Sequence, residues 1–205
     1  MVAPSTGPVP RPPRRRPVVY VIGCAAPPVR HIKDAVALTQ DQGFDTCLIL
    51  TPTAANWLEA ELPALTELTG HPVRSTYKQP GESDVLPSAD AFLVAPATLN
   101  TTTKWADGHQ DNLALGLIAE AVGRRIHDAA RGDTLQPPIV AMPYLNAWQA
   151  AHPAFDRAVE TLRQSGVEFL LGESGFVPHV PHTGQGRPHE FPWARAVDAL
   201  RDGFQ

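Results

Sequence analysis

A chain of 205 residues, 43% hydrophobic and 19% charged, is long enough to bury one substantial core and short enough to be one domain with tails. Its formal charge of -4 gives no electrostatic pull toward nucleic acid or an anionic membrane surface, so neither is expected as a partner. The two cysteines, Cys24 and Cys47, fall at or near the ends of predicted buried strands, the pattern of reduced core thiols in a cytoplasmic protein rather than of a disulfide scaffold.

Residues 1–16 are rich in proline and arginine and lack the apolar run of a signal peptide or membrane anchor; they read as a disordered basic arm. PVVYVIG (17–23) is a continuous apolar run closed by Gly23, the form of a strand buried on both faces of a parallel sheet. A helix is expected over 27–43, stopped by Gly43, then a second strand in FDTCLILT (44–51) and a helical stretch over 53–70 interrupted at Pro63. PVRST (72–76) reads as a third strand and ADAFLVAP (89–96) as a fourth. A long helix over 112–131 follows, capped by Asp111 or Asn112. PPIVAMP (137–143) is the fifth strand, 151–166 a helix, and VEFLLG (167–172) the sixth strand. The core domain is thus 17–172. Residues 173–205 form a proline-rich, flap-like tail and a C-terminal helix expected to pack on the same domain.

Strands alternating with helices imply an α/β three-layer sandwich around a doubly wound parallel sheet. Ligands in such folds sit beyond the carboxyl ends of the strands, so the loops at 23–27, 51–56, 95–112 and 143–153 should share one edge. No G-x-G-x-x-G follows the first strand, which argues against a dinucleotide site of the usual kind. Thr51 and Thr53 stand at a helix start, where a hydroxyl either caps the helix or holds a phosphate. Thr98, Asn100, Thr101, Thr102 and Thr103 follow a buried strand. They suit either turn and cap satisfaction or a polyhydroxylated or heterocyclic ligand.

The segment APATLNTTTKWADGHQDNL resembles the P-A-S-A-N-T…K-x-A-x-G-x-x-D-N-L signature of the homo-oligomeric flavin-containing cysteine decarboxylases. It matches at Ala95, Pro96, Asn100, Thr101, Lys104, Ala106, Gly108, Asp111, Asn112 and Leu113, with Thr98 for the serine. A second segment, MPYLNAWQAAHP, is similar to the family's P-x-M-N-x-x-M-W-x-x-P block at Pro143, Asn146 and Pro153, with departures at Leu145 and at Gln149 and Ala150.

The resemblance implies a flavodoxin-like, Rossmann-like fold assembled as a homotrimer or higher homo-oligomer, with FMN bound between subunits. Carried over, the FMN-binding positions are Gly23, Cys24, Ala25, Thr53, Thr98, Asn100, Thr101, Asp111 and Asn112, and Asn146 contacts a substrate carboxylate. The tail keeps Gly184, Gly186 and Arg187 of the family's substrate flap without its cysteine, and Glu82 stands where the family has a histidine.

The imidazoles available for proton transfer are those of His31, His109, His152, His179, His182 and His189, with His109, beside Asp111, the leading candidate. The spacing of His179, His182 and His189 falls in a loop with no helix to align two imidazoles, so no metal is expected. The implied function is an FMN-binding flavoprotein that oxidises or decarboxylates a small or peptidyl thiol or acid. The alternatives are a non-catalytic flavoprotein or regulatory subunit and a flavin prenyltransferase-like enzyme.

Overall fold

The apolar runs become β1 (Val18–Gly23), β2 (Asp45–Leu50), β3 (Ala91–Ala97), β4 (Ile139–Pro143) and β5 (Glu168–Phe169). Among the described residues they pair, all parallel, into one sheet in the order β2-β1-β3-β4-β5. The structure, a computed structural model, describes residues 15–132 and 137–204, so residues 1–14 of the expected arm lie outside the described residues.

Side chains alternate across the strands and divide the core into two layers. On one face Val19, Val21, Leu48, Leu50, Leu93 and Met142 pack against α1 (Ile32–Asp41), α3 (Leu62–Thr69) and α8 (Trp193–Asp202). On the other, Tyr20, Ile22, Ile49, Phe92, Val94 and Ala141 pack against α4 (Leu99–Ala106), α5 (Leu113–Ala130) and α7 (Pro153–Gln164). Two shorter helices, α2 (Pro52–Trp57) and α6 (Ala147–Ala150), follow the carboxyl ends of β2 and β4.

The expected third strand does not join the sheet as a strand. Residue Arg74 makes one isolated parallel bridge to Ile49, with its N–H donating to Leu48 O at 3.1 Å and its carbonyl accepting from Leu50 N at 2.8 Å. Pro72 has no N–H to extend the ladder, so pairing at this edge stops at a single bridge. The last strand is two residues long instead of six, because the chain turns at Gly172, φ 72°. Pro63 does not interrupt a helix: it sits in the first turn of α3, where its missing donor costs nothing, and the break falls at 58–61. The helix expected from residue 27 begins as a 3-10 turn, Pro27–His31, and becomes α-helical at Ile32.

β1 lies inside the sheet, with the chain leaving it for β2 on one side and later returning to β3 on the other. That reversal opens a crevice between the carboxyl ends of β1 and β3. Leu93, on β3 and fully buried, holds the strand on that crevice. Leu93→Ala is expected to lower the unfolding free energy in urea by about 2–5 kcal/mol; a loss below about 1 kcal/mol would contradict the packing described.

Candidate functional site

The crevice is built from four strand ends tied together. Gly23 closes β1 so tightly that a Cβ there would lie 2.9 Å from Leu50 Cδ2 and 3.1 Å from Val29 Cγ2. Beyond it, Cys24 N donates to Pro96 O at 3.1 Å, Thr51 N to Gly23 O at 3.0 Å, and Tyr144 N to Ala97 O at 2.9 Å. Ala25 is half-buried against the α1-side core. Burial pushes the Cys24 thiol up to about 11, opposed by hydrogen bonds with the Thr101 hydroxyl and the Thr98 backbone. The thiol is therefore protonated at neutral pH and acts as a packed hydrogen-bonding group, not as a nucleophile.

The hydroxyls divide into two sets. Thr98 caps α4: Thr101 N donates to its Oγ1 at 3.1 Å, and its hydroxyl donates to Thr101 Oγ1 at 3.1 Å. Thr103 donates to Leu99 O at 2.9 Å. The buried hydroxyls of Thr51, at the end of β2, and Thr102, in α4, have no protein partner among the described residues. An unmade hydrogen bond on a buried polar group costs about 1–3 kcal/mol. Two of them on the elements flanking one crevice suit the oxygens of a bound ligand. Thr53 and Asn100 are exposed in the first turns of α2 and α4, at the same edge.

The second half of the signature fastens α4 to α5. Lys104 and Asp111 form an ion pair across the turn at Gly108, and Lys104 holds the Asp111 carboxyl below its usual range. Asn112, and not Asp111, caps α5, accepting from Leu115 N at 3.1 Å, while its Nδ2 donates to Asp111 Oδ1 at 3.0 Å. His109 is exposed in this turn, its backbone N–H donating to Lys104 O at 2.8 Å.

A second cluster forms where the tail returns to β4. Asn146 caps α6, accepting from Gln149 N at 2.9 Å, while its own N–H donates to Gln149 Oε1 at 3.0 Å. The tail lies alongside, with His179 N donating to Leu145 O at 3.3 Å and Ala147 N to His179 O at 2.9 Å. Tyr144 donates to Gly184 O, and its ring centroid lies 4.9 Å from those of both Phe176 and His179. These residues, with Thr183, Arg187 and Glu190, enclose a cavity of about 240 Å³. A Cβ at Gly184 would come 2.2 Å from His179 Nε2, so the flap glycine is required by this contact; Gly186 is exposed with open space around it. Arg187 is paired with Glu190, Nε to Oε1 at 2.7 Å.

The remaining imidazoles are placed otherwise. His152 Nδ1 accepts from Ala154 N at 3.2 Å as a helix cap, His182 packs edge-on to Trp148, His31 ends the 3-10 turn, and His189 is exposed. Glu82 is exposed in a loop, where it accepts from Gln79 N at 2.8 Å. Sequence reasoning passed over Tyr144; its signal was its place between Pro143 and Asn146 in the second block. A larger cavity, of about 490 Å³, lies on the α5 side between Tyr20, Phe92, Tyr77 and Leu117.

Burial raises both thiols, Cys24 to about 11 and Cys47 to about 12. The folded chain holds these protons more tightly than the unfolded one. Stability from this source is complete below the ordinary thiol value of 9.0 and is lost as pH rises through 11. Native protein is expected to resist iodoacetamide at pH 7.5 and to react at both cysteines once unfolded in guanidinium. Rapid alkylation of Cys24 in the native state would contradict this placement.

The Flavoprotein family matches residues 10–194 of this chain. The chain is 27% identical over 165 residues to the coenzyme A biosynthesis bifunctional protein CoaBC of Bacillus subtilis (strain 168), covering 76% of this chain and 36% of that protein. It therefore spans about a third of that relative's length. Its fold is that of the FMN-dependent cysteine decarboxylase SpaF, TM-score 0.61 at 18% identity, covering 90% of this chain and 97% of SpaF. MrsD from Bacillus sp. HIL-Y85/54728 gives TM-score 0.61 at 19% identity, covering 93% of this chain and 97% of MrsD. The signature cradle at the β1–β3 crevice and a family match running from before β1 into α8 lead to one conclusion: the chain belongs to the Flavoprotein family.

Proposed function

We propose that this protein binds FMN at the β1–β3 crevice and takes part in the oxidation and decarboxylation of a small or peptidyl substrate that carries a thiol. The observation that carries the reading is the flavoprotein match across the whole carboxyl edge of the sheet, where Thr51 and Thr102 keep buried hydroxyls without protein partners. The solved relative SpaF is an FMN-dependent cysteine decarboxylase, which sets the substrate class proposed.

The residues fit the group. The close packing at Gly23 leaves no room for a side chain, and Gly23 closes β1, with Cys24 and Ala25 following, at the edge where its end is tied to those of β2 and β3. Thr51, Thr53, Thr98, Asn100, Thr101 and Thr102 supply hydroxyl and amide groups for ribityl and phosphate oxygens. Asp111 and Asn112 hold the turn behind them. FMN, when bound, supplies a two-electron acceptor; the chain's own work is to position and to move protons. Asn146 commits its Oδ1 to the α6 cap and so presents its Nδ2 as the donor for a substrate carboxylate. We read the assembly as a homotrimer or higher oligomer in a reducing, cytoplasmic setting, in line with two free buried thiols.

The test begins with FMN titration, expected to quench flavin fluorescence and yield a yellow protein; no binding would end the reading. Thr51→Val and Thr102→Val are each expected to weaken FMN binding about 5- to 15-fold, one hydrogen bond's worth, while leaving thermal stability equal or higher. Weakened stability with unchanged FMN affinity would assign the hydroxyls to packing alone. With a cysteine-terminated peptide, mass spectrometry should show loss of carbon dioxide and hydrogen. Bound flavin with no loss from any thiol tested would favour a non-catalytic subunit, and light scattering of the holoprotein checks the trimer.

A further inference from the structure

Four buried side-chain polar atoms lack a partner among the described residues: the hydroxyls of Thr51 and Thr102, Trp193 Nε1, and His179 Nδ1. The first two flank the crevice assigned to the cofactor. His179 lies elsewhere, in the tail cavity, and among the histidines described it alone has a buried ring nitrogen without a partner. Orphaned buried nitrogens are rare because each forfeits about 1–3 kcal/mol, and this one belongs to a residue that lines a cavity, so a ligand that displaces its cover completes the bond.

The setting is rigid. The His179 ring packs against Tyr144 at 4.9 Å and Phe176 at 6.1 Å, and its Nε2 edge lies against Gly184, where no side chain fits. Its main chain pairs with Leu145 and Ala147, so the residue sits directly beside Asn146, the donor proposed for the substrate carboxylate. The adjoining space of about 240 Å³ accommodates a group the size of a cysteine side chain with its carboxylate.

We propose that His179 is the proton-transferring residue of this site, taking the substrate's thiol proton on the ring nitrogen that the protein leaves without a partner. The proposal rests on the thiol-substrate reading above. In the step, the substrate S–H bond breaks, its electron pair stays on sulfur, and a new N–H bond forms at Nδ1 of an imidazole whose other proton is on Nε2. The products are a thiolate and an imidazolium in contact, a pair that stabilises itself where water is scarce. Desolvation lowers the His179 pKa below its ordinary 6.5, so the ring is in its accepting, neutral form at physiological pH.

The charged and titratable groups that share the cavity leave that form undisturbed. Arg187 and Glu190 neutralise each other, and the Tyr144 phenol, pushed up chiefly by burial, stays protonated. His109, inside the signature, has neither a cavity nor a buried ring nitrogen.

Two measurements on the full chain test this. In histidine-labelled wild type, with and without FMN, NMR should show His179 titrating below 6.5, and its ring nitrogen signals should move when a peptide ending in cysteine is added. Peptide that shifts the Asn146 amide but leaves the His179 ring unmoved, or that does not bind at all, overturns the proposal. In turnover, His179→Gln should retain FMN affinity within about twofold, lower kcat about 10²- to 10⁴-fold, and lose the acid limb of the pH–rate profile. An unchanged profile with wild-type kcat overturns the proposal while the cofactor reading stands. Loss of FMN binding by the wild type would instead sink the cofactor reading, with the NMR arm still deciding on His179.

Discussion

The hydrogen bond from Cys24 N to Pro96 O is the point on which the rest of the site depends. Parallel strands diverge where the winding of the sheet reverses, and β1 and β3 lose their regular ladder after Ile22 and Val94. One backbone bond beyond that point keeps the two loops together. It lets the Cys24 thiol reach Thr101 and Thr98, and so orients the start of α4. From α4 the Lys104–Asp111 pair passes the constraint to α5. Without this junction the hydroxyl-rich segment would be a surface turn; with it, the segment is the wall of a crevice.

The signature thus contains two kinds of residue that look alike in sequence. Thr98, Lys104, Asp111 and Asn112 have partners in the protein and hold the geometry. Thr102, and Thr51 outside the signature, have buried hydroxyls with none, while Asn100 is exposed at the same edge. The first set is satisfied by the chain itself, and the two buried hydroxyls of the second are not. Only the three-dimensional arrangement separates them.

Much of the architecture was legible in the residues because its signals are local. Continuous apolar runs at Val18–Gly23 and Ala91–Ala97 can hardly be anything but strands buried on both faces, and alternating helices then force a parallel sheet. What could not be read were features decided by pairing partners. Residues 72–76 have strand-like composition, yet their sheet membership hinges on an edge where Pro72 withholds a donor. The place of Pro63 is decided in the same way: proline's effect changes sign between a helix's first turn and its middle, and the boundary is set by tertiary packing. In the site, the crevice followed from strand order, but the meeting of Tyr144, His179 and Gly184 required the tail's path across β4, for which spacing gives no code.

That path has a mechanical meaning. The tail is fixed at one end by the bridge between Leu171 and Phe176 and at the other by α8, whose buried face is part of the core, and it is pinned midway by the pairing of His179 with Leu145 and Ala147. A strap tied at both ends cannot swing aside as a hinged lid does; it can only bow outward at its middle. Bowing breaks the bonds that set His179 beside Asn146 and lifts Gly184 from the Tyr144 phenol. The bonds that tie the strap down are therefore the same bonds that assemble the cluster of Tyr144, His179 and Gly184.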